Sequence, residues 1–328
     1  MTPRLVSASS SRDLNLELRR PPVVTNERSQ NGFGSRPIDE LVDATIRLYA
    51  RADQKRSAWD VWLHTCHHAG ALAQAVRGLG NEATWQRELA DTVLWLFTLI
   101  GRIRRGSTRR TEVPRSLESL IAISGRCADL LWLRYPGVCP SCLQRVPQVA
   151  IANDWPKTCS CEGTILDDVE TPDLRGTVQA LRLLGEERRS TRPATIDHWQ
   201  QLLATIYSRT LSSASLWQIT AMVLEEIGSV SDAIVRLYSY SKGHPPTPEE
   251  VGWRRTRFEL ELARVINLLF LVTEKSGGRL STIVEKRYGP PSDGALSCWS
   301  CGKRECECPL LIAPHDVDID KLISLMGL

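Results

Sequence analysis

Trp217-Gln-Ile-Thr-Ala-Met-Val-Leu-Glu-Glu-Ile-Gly-Ser-Val-Ser-Asp-Ala-Ile-Val-Arg-Leu237 is the stretch on which the fold turns, because the chain contains it twice. Moved back by 158 residues, Tyr207, Arg209, Ser215, Trp217, Gly228, Ala233 and Leu237 fall without a gap on Tyr49, Arg51, Ser57, Trp59, Gly70, Ala75 and Leu79. That is seven identities in 31 positions, where about two come by chance at average residue usage. The next apolar segment repeats as well. Glu88-Leu-Ala-Asp91-Thr-Val-Leu-Trp-Leu-Phe97 corresponds to Glu261-Leu-Ala-Arg264-Val-Ile-Asn-Leu-Leu-Phe270, and a cysteine cluster follows each copy. The expected architecture is all-α: a tandem duplication of one helical bundle, each copy followed by a four-cysteine zinc knuckle.

Working outward, the pattern divides the chain into six parts. They are a basic arm over 1–36, a first bundle over 37–136, a first knuckle over 137–166, a connector over 167–192, a second bundle over 193–289, and a second knuckle with a final helix over 290–328. The arm holds Ser-Ser-Ser, Pro21-Pro22 and Asn31-Gly32 with few large apolar residues, and reads as disordered. Its six Arg against three acids account for the whole net charge of +3, and the rest of the chain balances at 35 against 35. A neutral body argues against charge-driven coating of DNA. No run of 18 apolar residues exists to span a membrane, and no secretory signal is evident, so a cytoplasmic protein is expected.

In the first bundle the spacing predicts helices over Asp39–Ala52, Ser57–Leu79, Thr84–Ile103 and Ser116–Arg134, with Arg102–Arg115 as a loop. Trp62, Thr65, Ala69, Leu72, Val76 and Leu79 make one face of the second helix. In the second bundle helices are predicted over Thr195–Thr210, Ser213–Ser239, Glu250–Lys275 and Leu280–Tyr288, with Thr247 as a cap and Pro248 at the first helical position. Short helices are expected over Thr177–Leu184 and Asp318–Leu325. Trp59, Trp95 and Trp217 are assigned to the core, as are Cys66 and Cys127.

The acids carry the functional reading. Glu88 and Asp91 sit one turn apart on a helix that is otherwise apolar nearly all round. Buried ionised carboxylates need a cation, an Arg or a proton. Glu225, Ser229 and Asp232 share a helix face with Glu226 beside them, opposite the stripe of Val223, Ile227, Val230, Ile234 and Leu237, so water is their alternative surrounding.

This arrangement resembles the MazG-like, all-α nucleotide pyrophosphohydrolases, whose pattern is E-E-x-x-E on one helix and E-x-x-D on the next. The resemblance covers roughly 40–135 and 197–288. It implies Mg²⁺-dependent conversion of a nucleoside triphosphate to the monophosphate and pyrophosphate. Carried over by position, the catalytic and Mg²⁺-ligating residues are Glu88, Asp91, Glu225 and Glu226, with Asp232 and Glu261 as further ligands. The departures are His67, His68 and Ala71 in place of the three acids in the first copy, and Ser229 and Arg264 in the second. Each half keeps what the other lost, so the expectations are a composite site in an intrachain pseudo-dimer, or decay to a non-catalytic nucleotide sensor or scaffold. Beside the acids, His64 and His68 lie at i, i+4 and offer imidazoles to a transition metal. Arg264 can pair with Glu261 three residues before it.

Cys139-x₂-Cys142 with Cys159-x-Cys161, and Cys298-x₂-Cys301 with Cys306-x-Cys308, form two four-thiolate sets. Each follows an Arg-Tyr pair, Arg134-Tyr135 or Arg287-Tyr288. Such sets suit closed, structural Zn²⁺ sites, with an iron–sulfur cluster or disulfides as alternatives. Arg102, Arg104, Arg105, Arg109 and Arg110 are candidates for gripping a triphosphate, for contacting nucleic acid, or for simple solvation. The third functional class is therefore a zinc-dependent nucleic-acid-binding regulator, and a homo-oligomer is an alternative to the internal pseudo-dimer.

Overall fold

The computed structural model describes residues 32–53, 56–79, 81–106, 123, 125–140, 143, 174–238, 247–289 and 295–308. Among the described residues the elements are ten α-helices and short single turns, and no strand occurs. In chain order the helices are α1 (Ile38–Asp53), α2 (Ala58–Gln74), α3 (Glu82–Gly106), α4 (Cys127–Arg134), α5 (Leu174–Glu187), α6 (Ile196–Ile206), α7 (Ser208–Ser213), α8 (Leu216–Tyr238), α9 (Pro248–Lys275) and α10 (Leu280–Tyr288).

The helix starts follow local chemistry. Thr247 Oγ1 accepts from the Glu250 amide at 3.2 Å while the Glu250 carboxylate accepts from the Thr247 amide at 2.7 Å. With Pro248 as the first helical residue, this reciprocal cap starts α9. Ser57 and Asp60 start α2 in the same way. The α2 coil widens into a π turn over Ala75–Leu79 and stops at Gly78, whose φ of 102° suits glycine.

The long apolar helices α3 and α9 are the buried pillars. From Leu89 to Ile100 and from Leu262 to Thr273 nearly every side chain is shut off from water. Helices α1 and α2 pack on α3, while α6 and α8 pack on α9. The two sets meet where α2 lies against α8, and Trp62 Nε1 donates to Ser231 Oγ across that contact at 3.0 Å. The fourth helix of each set crosses over. Helix α4 packs against α9, and α10 packs against α3.

Several expectations change. Helix α3 runs through Arg102–Gly106, so those residues are helical rather than loop. Ile46 of α1 lies close enough to Gly101 that a Cβ there would collide with it, which is how α1 approaches this stretch. Helix α4 starts only at Cys127, because residues 125 and 126 are not helical and Asp129 accepts from the Arg126 amide at 2.7 Å. The single helix expected over 195–210 breaks at Tyr207 into α6 and α7. The end of the expected arm is ordered. Phe33 is fully buried, its amide donates to the Glu285 carboxylate, and the Arg36 carbonyl accepts from the Ile196 amide at 2.9 Å. The rest of the arm, Arg109, Arg110, Cys142, Cys159, Cys161 and the expected final helix lie outside the described residues. Trp59 and Trp217 are 39% and 40% exposed rather than core, whereas Trp62 and Trp199 are buried.

Candidate functional site

The first cluster forms where α2, α3 and α10 meet. His68 from α2 and Glu88 and Asp91 from α3 bring one ligand atom each within 4.8 Å of one another. His68 Nδ1 lies 2.9 Å from Glu88 Oε2, and Arg87 donates twice to Glu88 Oε1, at 3.0 and 2.8 Å. Burial pushes the Glu88 carboxyl upward, but the bonds from His68 and Arg87 prevail and hold it below the usual range. Asp91, 4% exposed, is engaged on both oxygens. Arg287 grips it through Nε and Nη2, each at 3.1 Å, and the Tyr288 hydroxyl donates to Oδ1 at 2.6 Å. Behind Tyr288 stands Tyr49 of α1, a hydrogen-bond partner that shares its burial.

His64 and His67 do not join the cluster. His64 stacks on Trp95 at 4.4 Å between ring centres, on the ring that Arg56 also approaches, at 4.8 Å. Burial and then Arg56 push its imidazole below the ordinary value. His67 meets the His68 ring edge-on.

The second cluster is made of the corresponding places on α8 and α9. Glu226, 2% exposed, takes the place of His68, and its Oε1 lies 3.1 Å from Arg264 Nη2. Arg264 therefore pairs across helices with Glu226; the expected local pairing with Glu261 is replaced by an approach from Arg257, at 3.9 Å. The Oε2 atoms of Glu226 and Glu261 are both buried and find no donor. A proton carried by Glu226 would turn one of these acceptors into a donor. Burial, working against Arg264 and assisted by Glu261, pushes the Glu226 carboxyl up to about 7. Arg134 of α4 adds its charge from the other set, and Tyr135 meets Tyr207 edge-on at 6.1 Å.

The four acids expected at one metal are thus divided. Glu88 and Asp91 cluster with His68, and Glu226 sits with Glu261 and Arg264. Glu225 is exposed, and Asp232 pairs with Arg236 at 2.6 Å. Of the arginines offered to a triphosphate, Arg104 is bound to Asp43 at 2.6 Å. Arg102 is half-buried near the same end of α3, and Arg105 lies on its last turn.

Beside the first cluster, Cys298, Cys301, Cys306 and Cys308 bring their sulfurs within 4.8 Å of one another. Cys298 Sγ and Cys308 Sγ are 3.8 Å apart. Tetrahedral Zn²⁺ with bonds of about 2.3 Å puts thiolates roughly 3.8 Å apart, so the set fits a metal ion such as zinc. The backbone turns to serve it: Gly302 N donates to Cys298 O at 2.7 Å, and Cys298 N to Lys303 O at 2.8 Å. Backbone amides of Glu307 and Lys303 hold the Cys301 thiol down to about 6, while burial pushes Cys306 up to about 12. The segment docks on α1, where Cys306 N donates to Leu48 O at 2.7 Å. From the first cysteine set only Cys139 is described, and it is buried. No described helix is long and apolar enough to cross a membrane.

The sequence reading missed Arg287 and Tyr288 as partners of Asp91. The signal was present, since an Arg-Tyr pair precedes both cysteine sets. Compared with known proteins, the chain matches no family model, no curated protein and no solved structure.

Proposed function

We propose that this chain is a fused pair of MazG-like helical units, held together through the Asp91 cluster, in a non-catalytic scaffold stapled by structural zinc. The observation that carries this reading is the hold of Arg287 and Tyr288 on Asp91. Both residues come from the second copy, and the acid belongs to the first. Arg134 and Tyr135 stand in the reciprocal place beside Glu226, Glu261 and Tyr207. The two clusters differ in sign at one position. Asp91 needs the guanidinium of the other copy, whereas Arg264 carries its own positive charge to Glu226.

The second reading is the Mg²⁺-dependent pyrophosphohydrolase, and the approach of His68, Glu88 and Asp91 within 4.8 Å favours it. As they stand, these residues do not fit Mg²⁺. Both carboxylates are already engaged by arginine, and imidazole suits transition metals better than Mg²⁺. A zinc knuckle that reads nucleic acid gains little support, because Lys303 is tied to Glu307.

The closing test uses the intact chain, nucleoside triphosphates, and Mg²⁺ or Mn²⁺. The scaffold reading expects no metal-dependent release of pyrophosphate and a marked loss of stability in Asp91→Asn. A binding-site acid is usually dispensable for stability or costs it. Pyrophosphate release that Asp91→Asn abolishes, without loss of stability, overturns the scaffold in favour of the hydrolase.

A further inference from the structure

Trp299 lies inside the cysteine segment, between Cys298 and Cys301, yet its ring faces out of it. The Arg287 guanidinium sits 4.0 Å from the ring centre. The other side of that guanidinium's chemistry is Asp91, held at 3.1 Å through two parallel bonds. The chain around this contact is pinned at both ends. Ser297 N donates to Tyr288 O at 2.9 Å, and Cys306 N donates to Leu48 O at 2.7 Å. Arg287 is thus fixed in two directions: its N–H edge by a carboxylate and its face by an indole. A guanidinium over an aromatic face gains electrostatic attraction beyond packing, and holding it there removes the rotamer freedom that a long side chain otherwise loses on pairing.

The geometry points to Trp299 as a positioning residue: the metal held by Cys298, Cys301, Cys306 and Cys308 sets the place of Trp299, Trp299 sets Arg287, and Arg287 sets the strength of its hold on Asp91. The cysteine site and the carboxylate cluster are then one coupled unit, and metal loss at the first loosens the joint at the second. This rests on the reading of Asp91 and Arg287 as a lock between copies. Trp299 suits the role because its remaining surface is open to water, at 56% exposure, so its replacement leaves no core cavity.

The test is a double-mutant cycle in the full zinc-loaded chain, read by denaturant unfolding with zinc content measured for each variant. Asp91→Asn is made in the wild-type, Trp299→Leu and Trp299→Phe backgrounds. The expected result is a large rise in the unfolding equilibrium constant for Asp91→Asn in the wild type. The rise is smaller by roughly tenfold in Trp299→Leu, and is restored in Trp299→Phe, which keeps an aromatic face. Zinc content stays equal across the three backgrounds. Stripping the wild type with a chelator, or using Cys308→Ser, brings the Asp91→Asn effect down to its value in Trp299→Leu. An equal Asp91→Asn effect in the wild-type and Trp299→Leu backgrounds, or one untouched by metal removal, overturns the coupling while leaving the lock intact. No Asp91→Asn effect in any background overturns the lock itself.

Discussion

Glu226 and Arg264 meet at 3.1 Å with both side chains closed off from solvent. A buried pair of this kind is worth little against an apolar replacement, but breaking it leaves a charge stranded. Above pH 7, where Glu226 is ionised, Arg264→Ala is expected to destabilise the chain by about 3–5 kcal/mol. The double replacement Glu226→Leu with Arg264→Met should recover most of that loss. Denaturant unfolding of the three proteins checks both outcomes.

The same pair sets a pH dependence. The Glu226 carboxyl rises on folding from 4.5 to about 7. The folded chain therefore binds the proton more tightly than the unfolded one. The stabilisation is complete below pH 4.5 and is lost as pH rises through about 7. The shift corresponds to roughly 3 kcal/mol. Unfolding measured from pH 4.5 to 8 should show stability declining with pH, and Glu226→Gln should flatten that slope.

Tyr288 is the third donor to Asp91, at 2.6 Å. Tyr288→Phe removes one hydroxyl and leaves a buried carboxylate short of one bond. A cost of about 1–3 kcal/mol is expected. Tyr135→Phe, at the reciprocal place, leaves the three bonds from Arg287 and Tyr288 to Asp91 in place and should leave the Asp91→Asn penalty unchanged in a combined variant.

Gly101 is where α3 takes the side chain of Ile46 against its backbone. Gly101→Ala raises helix propensity yet forces α1 outward. The overpacking should prevail, with a net loss of about 1–3 kcal/mol. Gly101→Ala combined with Ile46→Val should be less damaging than Gly101→Ala alone, and thermal unfolding reads the difference.

Much of this architecture can be read from local pattern. Thr247, Pro248 and Glu250 announce the start of α9, and the apolar run after Glu88 announces a buried helix. The same pattern misled at Arg102–Gly106, where arginines suggested a loop. One of them, Arg104, stays helical by reaching Asp43 of α1. The acids were harder. Helical spacing placed Glu88 and Asp91 one turn apart, but the partner of Asp91 is 196 residues away. Spacing alone also gave Arg264 to Glu261, its near neighbour, when the buried acid across the helix pair was Glu226. Pairing between helices depends on how they cross, and sequence separation carries no record of that.

The crossing of α4 onto α9 and of α10 onto α3 has a consequence for synthesis. A ribosome that has delivered the chain as far as α6 has exposed α4 without the surface it later covers. The opening bundle stays unfinished until α9 emerges, and its Asp91 waits longer still, for Arg287. The two helix sets are therefore completed nearly together, only once α10 has been made. A break in the connector would yield two fragments, each lacking one wall that the other carries.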